Sequence, residues 1–177
     1  MSAAAVRPVI AAVAVGALAA AIGCGSGAAP TIPDTRPAPN PDLTARAEGG
    51  DPRAMVELAE LYRIDPAYQD QAKAIAWYTQ AAVKGHSGAM LALGRMYRVG
   101  DGLHIDPAQA RQWLQKAAAD QPLALYHLGE MQRLGEGAPA NRDEAAKLYR
   151  AAIQARNVRP STVKLATERL QEMGVEP

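Results

Sequence analysis

The chain has 177 residues, 49% of them hydrophobic and 5% aromatic, with a net charge of +1 and a single cysteine. That length suits one domain with its own core. The near balance of 19 basic and 18 acidic residues excludes the basic excess of a nucleic-acid binder, and one cysteine excludes a disulfide framework.

Residues 1–23 are expected to lie outside the fold. Arg7 supplies a positive start, and Val9 to Ile22 is an uncharged run rich in Ala and Val. The run falls short of the ~20 residues a membrane-spanning helix needs and has the length of a signal-peptide core. Without this segment the charge is close to zero. Residues 24–41 begin with Cys24 and continue as GSGAAPTIPDTRPAPNP. Its prolines at 30, 33, 37, 39 and 41 forbid a helix and favour polyproline II. At ~3.1 Å per residue this stretch reaches roughly 50 Å, which suits a tether. Asp42 is then expected to cap a short helix over 43–48.

From residue 51 the sequence repeats. A shift of 35 carries Ala54 to Ala89 and Ala124, Leu58 to Leu93 and Leu128, and Ala59 to Gly94 and Gly129. It also carries Tyr62 to Tyr97 and Gln132. Ala74, Ala110 and Ala145 follow at shifts of 36 and 35, as do Trp77, Trp113 and Leu148. The extra residue falls in the first turn, where Ile64-Asp65-Pro66 stands in place of the Gly100–Gly102 pair. Self-similarity at this period marks stacked helical hairpins, each unable to bury its apolar faces alone. Paired helices are predicted over 52–63 and 69–84, 87–98 and 107–119, and 122–133 and 142–155. Pro52, Pro107 and Pro122 sit at helix starts, and Asp106 and Asn141 are predicted N-caps. The small residue at 59, 94 and 129 is predicted to mark a helix crossing that a larger side chain would hold apart. Trp77 and Trp113 are expected to contribute most to the core. A last helix runs from Pro160-Ser161 to Met173 and stops at Gly174, with Val163, Ala166, Leu170 and Met173 on its packing face. Ala47 lies 35 before Ala82, so residues 42–50 read as the second half of a missing repeat.

The residues A-x3-L-G-x2-Y-x2-G-x-G from Ala89 and A-x2-W-x3-A-A from Ala110 resemble the Sel1-like repeat family, a relative of the tetratricopeptide repeat. The resemblance implies an all-α, right-handed α-solenoid. Three repeats over 51–157 would lie between a half-repeat cap at 42–50 and a capping helix within 158–177, with the first helix of each hairpin lining a concave face. Ala21-Ile22-Gly23-Cys24 resembles the lipobox of bacterial lipoproteins, with Ala21 where leucine is usual. It implies lipidation at Cys24 and an envelope location. By the same resemblance, the absence of Asp after the cysteine implies the outer membrane, facing the periplasm.

Candidate chemistry is sparse. Ser161 to Lys164 matches S-x-x-K, the nucleophile motif of penicillin-recognising enzymes, but the companion S-D-N and K-T-G motifs are missing. Ser161 reads instead as a helix N-cap. His127 and Glu130 share a helix face at a spacing that can hold a metal, yet His86 and His104 belong to other loops. Gly100-Asp101-Gly102 and Gly135-Glu136-Gly137 are turn chemistry, because an acid between glycines opposes phosphate. No catalytic residue, metal or cofactor is expected.

A row of arginines stands out: Arg63, Arg98 and Arg133 recur at intervals of 35. Glu60, Arg95 and Glu130 share a second groove position, and Val56, Leu91 and Tyr126 a third. Two readings stay open. In the first the arginines are available to acidic groups of a peptide, with Leu91 and Tyr126 as anchors. Alternatively each pairs with the Glu three residues earlier in its own helix, a pattern that repeat two breaks by placing Arg95 before Arg98. The expected function is non-enzymatic: an envelope lipoprotein that binds another protein or peptide on its concave face, held at a membrane by its lipid, with no nucleic acid. The alternatives are a structural part of an export or polysaccharide-secretion complex, or an enzyme acting on cell-wall or β-lactam substrates through Ser161 and Lys164.

Overall fold

A computed structural model describes residues 39–176. Cys24, the 1–23 segment and most of the proline-rich stretch lie outside the described residues. Among the described residues there are eight α-helices and no strand: α1 Pro41–Glu48, α2 Pro52–Ile64, α3 Gln71–Val83, α4 Ser87–Val99, α5 Pro107–Ala117, α6 Pro122–Leu134, α7 Arg142–Gln154 and α8 Pro160–Glu172. Each helix packs on its chain neighbours, most extensively within the hairpins α2–α3, α4–α5 and α6–α7. The α4–α6 and α6–α8 pairs also touch. The result is an all-α solenoid. No helix among the described residues is long and apolar enough to cross a membrane.

The period is set by backbone hydrogen bonds at the turns. The second helix of each hairpin is capped by Asp70, Asp106 or Asn141, whose side-chain oxygens accept from amides of the first turn. The same three residues donate their own N–H groups to the carbonyls of Tyr62, Tyr97 and Gln132, at 2.7, 2.9 and 2.9 Å. One residue thus starts the second helix and ties it to the end of the first. Gly100 and Gly135 close α4 and α6 in the left-handed region, where a side chain would be strained. The first repeat ends differently: Asp65 is extended and its N–H reaches the Leu61 carbonyl at 3.0 Å. The α1 helix leaves its last turn as α3 does. Asp51 N–H donates to Arg46 C=O at 3.1 Å, and His86 N–H, 35 residues on, to Ala81 C=O at 3.0 Å.

The core lies between the two helices of each hairpin. Leu58, Leu93 and Leu128 are buried on the first helices. On the second helices the large buried side chains are Tyr78, Leu114 and Tyr149, each one residue after the predicted Trp77, Trp113 or Leu148. Trp77 and Trp113 are half-buried and pack against the core from its margin, with the Lys116 ammonium over the Trp113 ring. A residue 100° further round the helix faces the crossing, and the indole, too large for that gap, faces its edge.

Three local expectations are corrected. Asn40, not Asp42, caps α1: its Oδ1 accepts from the Asp42 amide at 3.1 Å. The proline at position 41 takes the first helical place, so the cap falls one residue earlier. Arg159, not Ser161, occupies the N-cap of α8, without a side-chain bond, again because Pro160 opens the helix. On α8 Thr162 is buried where Val163 was expected, while Ala166, Leu170 and Met173 are buried as predicted.

The crossings are as close as the small residues imply. A Cβ on Gly94 would lie 2.7 Å from Leu114 Cγ and 3.2 Å from the Leu114 backbone nitrogen. On Gly129 it would lie 2.7 Å from Tyr149 Cε1. Gly94→Leu is therefore expected to destabilise the domain by roughly 3 kcal/mol or more, lowering Tm by about 10 °C. Thermal unfolding followed by circular dichroism checks this, and an unchanged Tm would remove Gly94 from the crossing.

Candidate functional site: the concave face

The first helices of the hairpins, α2, α4 and α6, line one side of the solenoid. Two concavities lie there, of about 210 and 540 Å³, sharing Glu60, Tyr78, Ala92 and Arg95 as walls. The smaller adds Arg63, Met96, Arg98 and His127. The larger adds Val56, Leu91 and Leu123, with Arg159 and Thr162 from the start of α8. Six of the nine predicted groove residues meet at these hollows: Val56, Glu60, Arg63, Leu91, Arg95 and Arg98.

The three predicted from the third repeat do not. Tyr126 is 6% exposed and belongs to the C-terminal core, and Glu130 is equally buried. Arg133 lines a separate hollow with Arg142 and Met173. The cause is α8, which packs on α7 and also touches α6. It covers the surface that α2 and α4 leave open, so positions equivalent in sequence differ in exposure.

Charges on this face are mostly engaged. Arg63 holds Glu60 at 2.6 Å and Arg133 holds Glu130 at 3.1 Å, each three residues away on the same helix. Tyr78 donates its hydroxyl to Glu60, and Tyr149 donates to Glu130. Repeats one and three thus carry the same Tyr–Glu–Arg cluster. Burial, then the adjacent carboxylate, raises the pKa of both tyrosine hydroxyls. In the third cluster α8 contributes Arg169, whose Nε lies 3.2 Å from Glu130 Oε1. Burial pushes the Glu130 carboxyl up, but the Arg133 and Tyr149 hydrogen bonds and the Arg169 charge override it and hold it low. This pairing is the second of the two readings of the arginine row.

Repeat two differs at two of these places. Arg95 replaces the Glu, and Leu114 replaces the Tyr. Arg98 then turns to the next repeat, where Glu136 receives its Nε and Nη2 at 2.6 and 3.0 Å. The Arg98 Nη1 also sits 3.5 Å from His127 Nδ1. A guanidinium only donates, so Nδ1 accepts and the His127 proton is on Nε2, which is buried without a partner among the described residues. Burial, with the charges of Arg95 and Arg98, lowers the His127 pKa to about 4, against the opposing pull of Glu130 and Glu136.

The tyrosine clusters and the Arg98–Glu136 link were missed in the sequence. A signal was available: Tyr78, Leu114 and Tyr149 change in step with Glu60, Arg95 and Glu130. Elsewhere the chemistry is that of a surface. Among the described residues no group of three His, Cys, Asp or Glu forms a metal cluster. Lys164 lies 3.9 Å from Glu168, and neither Ser161 nor Lys164 lines the concavities.

The electrostatics set a pH dependence. The folded-state pKa of His127 is below its unfolded value, so as pH falls from about 6.5 to 4 the unfolded chain binds a proton that the folded chain refuses. Stability is lost through that window, by up to roughly 3 kcal/mol. Glu130, held low, extends the loss below it. His127→Gln is expected to flatten Tm between pH 6.5 and 4 and to leave the acid limb below. A wild-type slope in the variant would contradict the assignment.

Comparison with known proteins places this geometry. Residues 52–86, 87–121 and 122–157 each match the Sel1 repeat. A Sel1 repeat protein from Oxalobacter formigenes is 34% identical, with a TM-score of 0.62 over 74% of this chain and 96% of its own. Two further solved structures share the fold. One is a protective antigen of uropathogenic Escherichia coli with an SLR fold, 24% identical, TM-score 0.59, over 76% of this chain and 35% of its own. The other is cysteine-rich protein B of Helicobacter pylori, 21% identical, TM-score 0.53, over 70% and 94%. A search among curated proteins found no match. Folds of this kind serve in general as protein-interaction scaffolds and are typically non-catalytic. With three consecutive matched repeats and a 34%-identical relative covered almost end to end, the chain belongs to the Sel1 repeat family.

Proposed function

We propose that the protein is a lipid-anchored adaptor of the bacterial envelope that holds another protein, or a segment of one, on its concave face, with no catalysis of its own. The observation that carries this reading is the pair of adjoining hollows across the first helices. Half-buried Val56, Leu91 and Ala92 offer apolar area there that the fold leaves uncovered. These aliphatic side chains stand among charged and polar ones such as Glu60, Arg95, Asp120 and Arg159, a mixed lining that suits a peptide segment with both kinds of side chain.

The anchor rests on the sequence alone. Cys24 follows an apolar run of signal-peptide length and a small residue, and the proline-rich stretch after it has the reach to hold a solenoid away from a bilayer. The lack of Asp after Cys24, by resemblance to lipoprotein sorting, supports an outer-membrane position facing the periplasm.

Two outcomes test the reading. Cys24→Ser is expected to move the protein from the membrane fraction to the soluble one; retention in the membrane would end the lipoprotein assignment. A photo-crosslinking residue in place of Leu91 is expected to give one discrete adduct in cells, and the same residue in place of Gln80, exposed on α3, none. An adduct from Gln80 alone would move the interface to the other face.

A further inference from the structure

The fold consumes all but one of the charged groups that the repeat pattern places at the two groove positions. Arg63 is neutralised by Glu60, Arg133 by Glu130, and Arg98 by Glu136 across the repeat boundary. Arg95 remains. It is exposed, and among the described residues no ion pair or hydrogen bond engages its guanidinium. It also sits where the position is otherwise acidic. In the flanking repeats the glutamate has a structural use, because it accepts the tyrosine hydroxyl of the second helix. In repeat two Leu114 fills that place against Gly94, so packing asks for no charge at 95.

The location makes this cation usable. Arg95 is one of the four residues common to both hollows, so it stands between them. Beside it lies the apolar wall of Val56, Leu91 and Ala92. On its other side Arg98 is held in place by Glu136 rather than available. Its charge is felt in the smaller hollow, where it helps keep His127 neutral. An exposed guanidinium carried on a helix between two hollows is matched by a carboxylate, which it can hold through two parallel hydrogen bonds.

We propose that Arg95 is the carboxylate-binding point of the concave face, so that the partner docks through a segment carrying an acidic side chain next to an aliphatic one. The acid pairs with Arg95 and the aliphatic group seats on Val56 and Leu91. This deepens the adaptor reading and rests on it. It commits to a protein segment with one negative charge at the contact. A basic segment is opposed by Arg95, and an uncharged one would bury the cation unpaired.

The test uses the full chain as bait for a displayed random-peptide library, selected in parallel against Arg95→Glu. Selected peptides are expected to be enriched in Asp or Glu close to Leu, Ile or Val. Their binding is expected to weaken by about tenfold to a hundredfold in Arg95→Glu and by less in Arg95→Lys. Selection against Arg95→Glu is expected to invert the preference towards Lys or Arg, which a merely structural role would not produce. Leu91→Asp separates the two readings. If it abolishes binding while Arg95→Glu does not, the carboxylate inference falls and the concave face stands. If neither variant affects binding, both fall. A selection that yields no binder, or yields binders without an acid, also overturns the inference.

Discussion

The structure depends on how closely the two helices of each hairpin cross. At the crossing one helix presents almost nothing, Ala59, Gly94 or Gly129, and the other presents a large buried side chain, Tyr78, Leu114 or Tyr149. This inverts the usual picture of two apolar ridges meeting. The first helix supplies a bare backbone groove and the second fills it, so the axes approach closely and dispersion contacts accumulate over a short span. The turn hydrogen bonds from Asp70, Asp106 and Asn141 set the period, and the close crossing holds each hairpin together within it.

Buried tyrosines at two of the three crossings create a second requirement. A phenol placed in a dry crossing needs an acceptor for its hydroxyl. Glu60 and Glu130 meet it, and Arg63 and Arg133 then hold the glutamates. What looks in sequence like a charged binding row is, in these repeats, a chain of consequences that starts in the core. In the third repeat the chain continues to Arg169, which fastens α8 over the end of the stack. Only where leucine replaces tyrosine does that requirement lapse, and there the surface carries a charge that packing does not explain.

The hairpins, their boundaries and the small residues at the crossings were legible because helix period, prolines at helix starts and acidic N-caps all act locally. The Trp77 and Trp113 expectation failed by one residue. Size is a poor guide to depth here, because a crossing this tight selects the residue that points straight into it. Tyr126 failed for a different reason. Repeat alignment assumes that equivalent positions have equivalent surroundings, but α8 brings Arg169 onto Glu130 and buries Tyr126, whereas α6, in the corresponding place beside α4, leaves Leu91 and Arg95 in an open hollow. Arg98 shows the same limit: its partner Glu136 lies 38 residues away, in a turn whose reach is set by tertiary geometry and not by helical spacing.

Neighbour-only packing gives the solenoid the behaviour of a zipper. Most contacts of each helix are with those before and after it, so cohesion passes along the stack largely link by link. A fault at either end frays a few teeth and leaves the rest closed. A fault at the middle hairpin, where Gly94 meets Leu114, divides the row into two short lengths, each with a raw edge. Under tension such a chain gives way in steps, and a partner lying across the middle repeat would act as a splint.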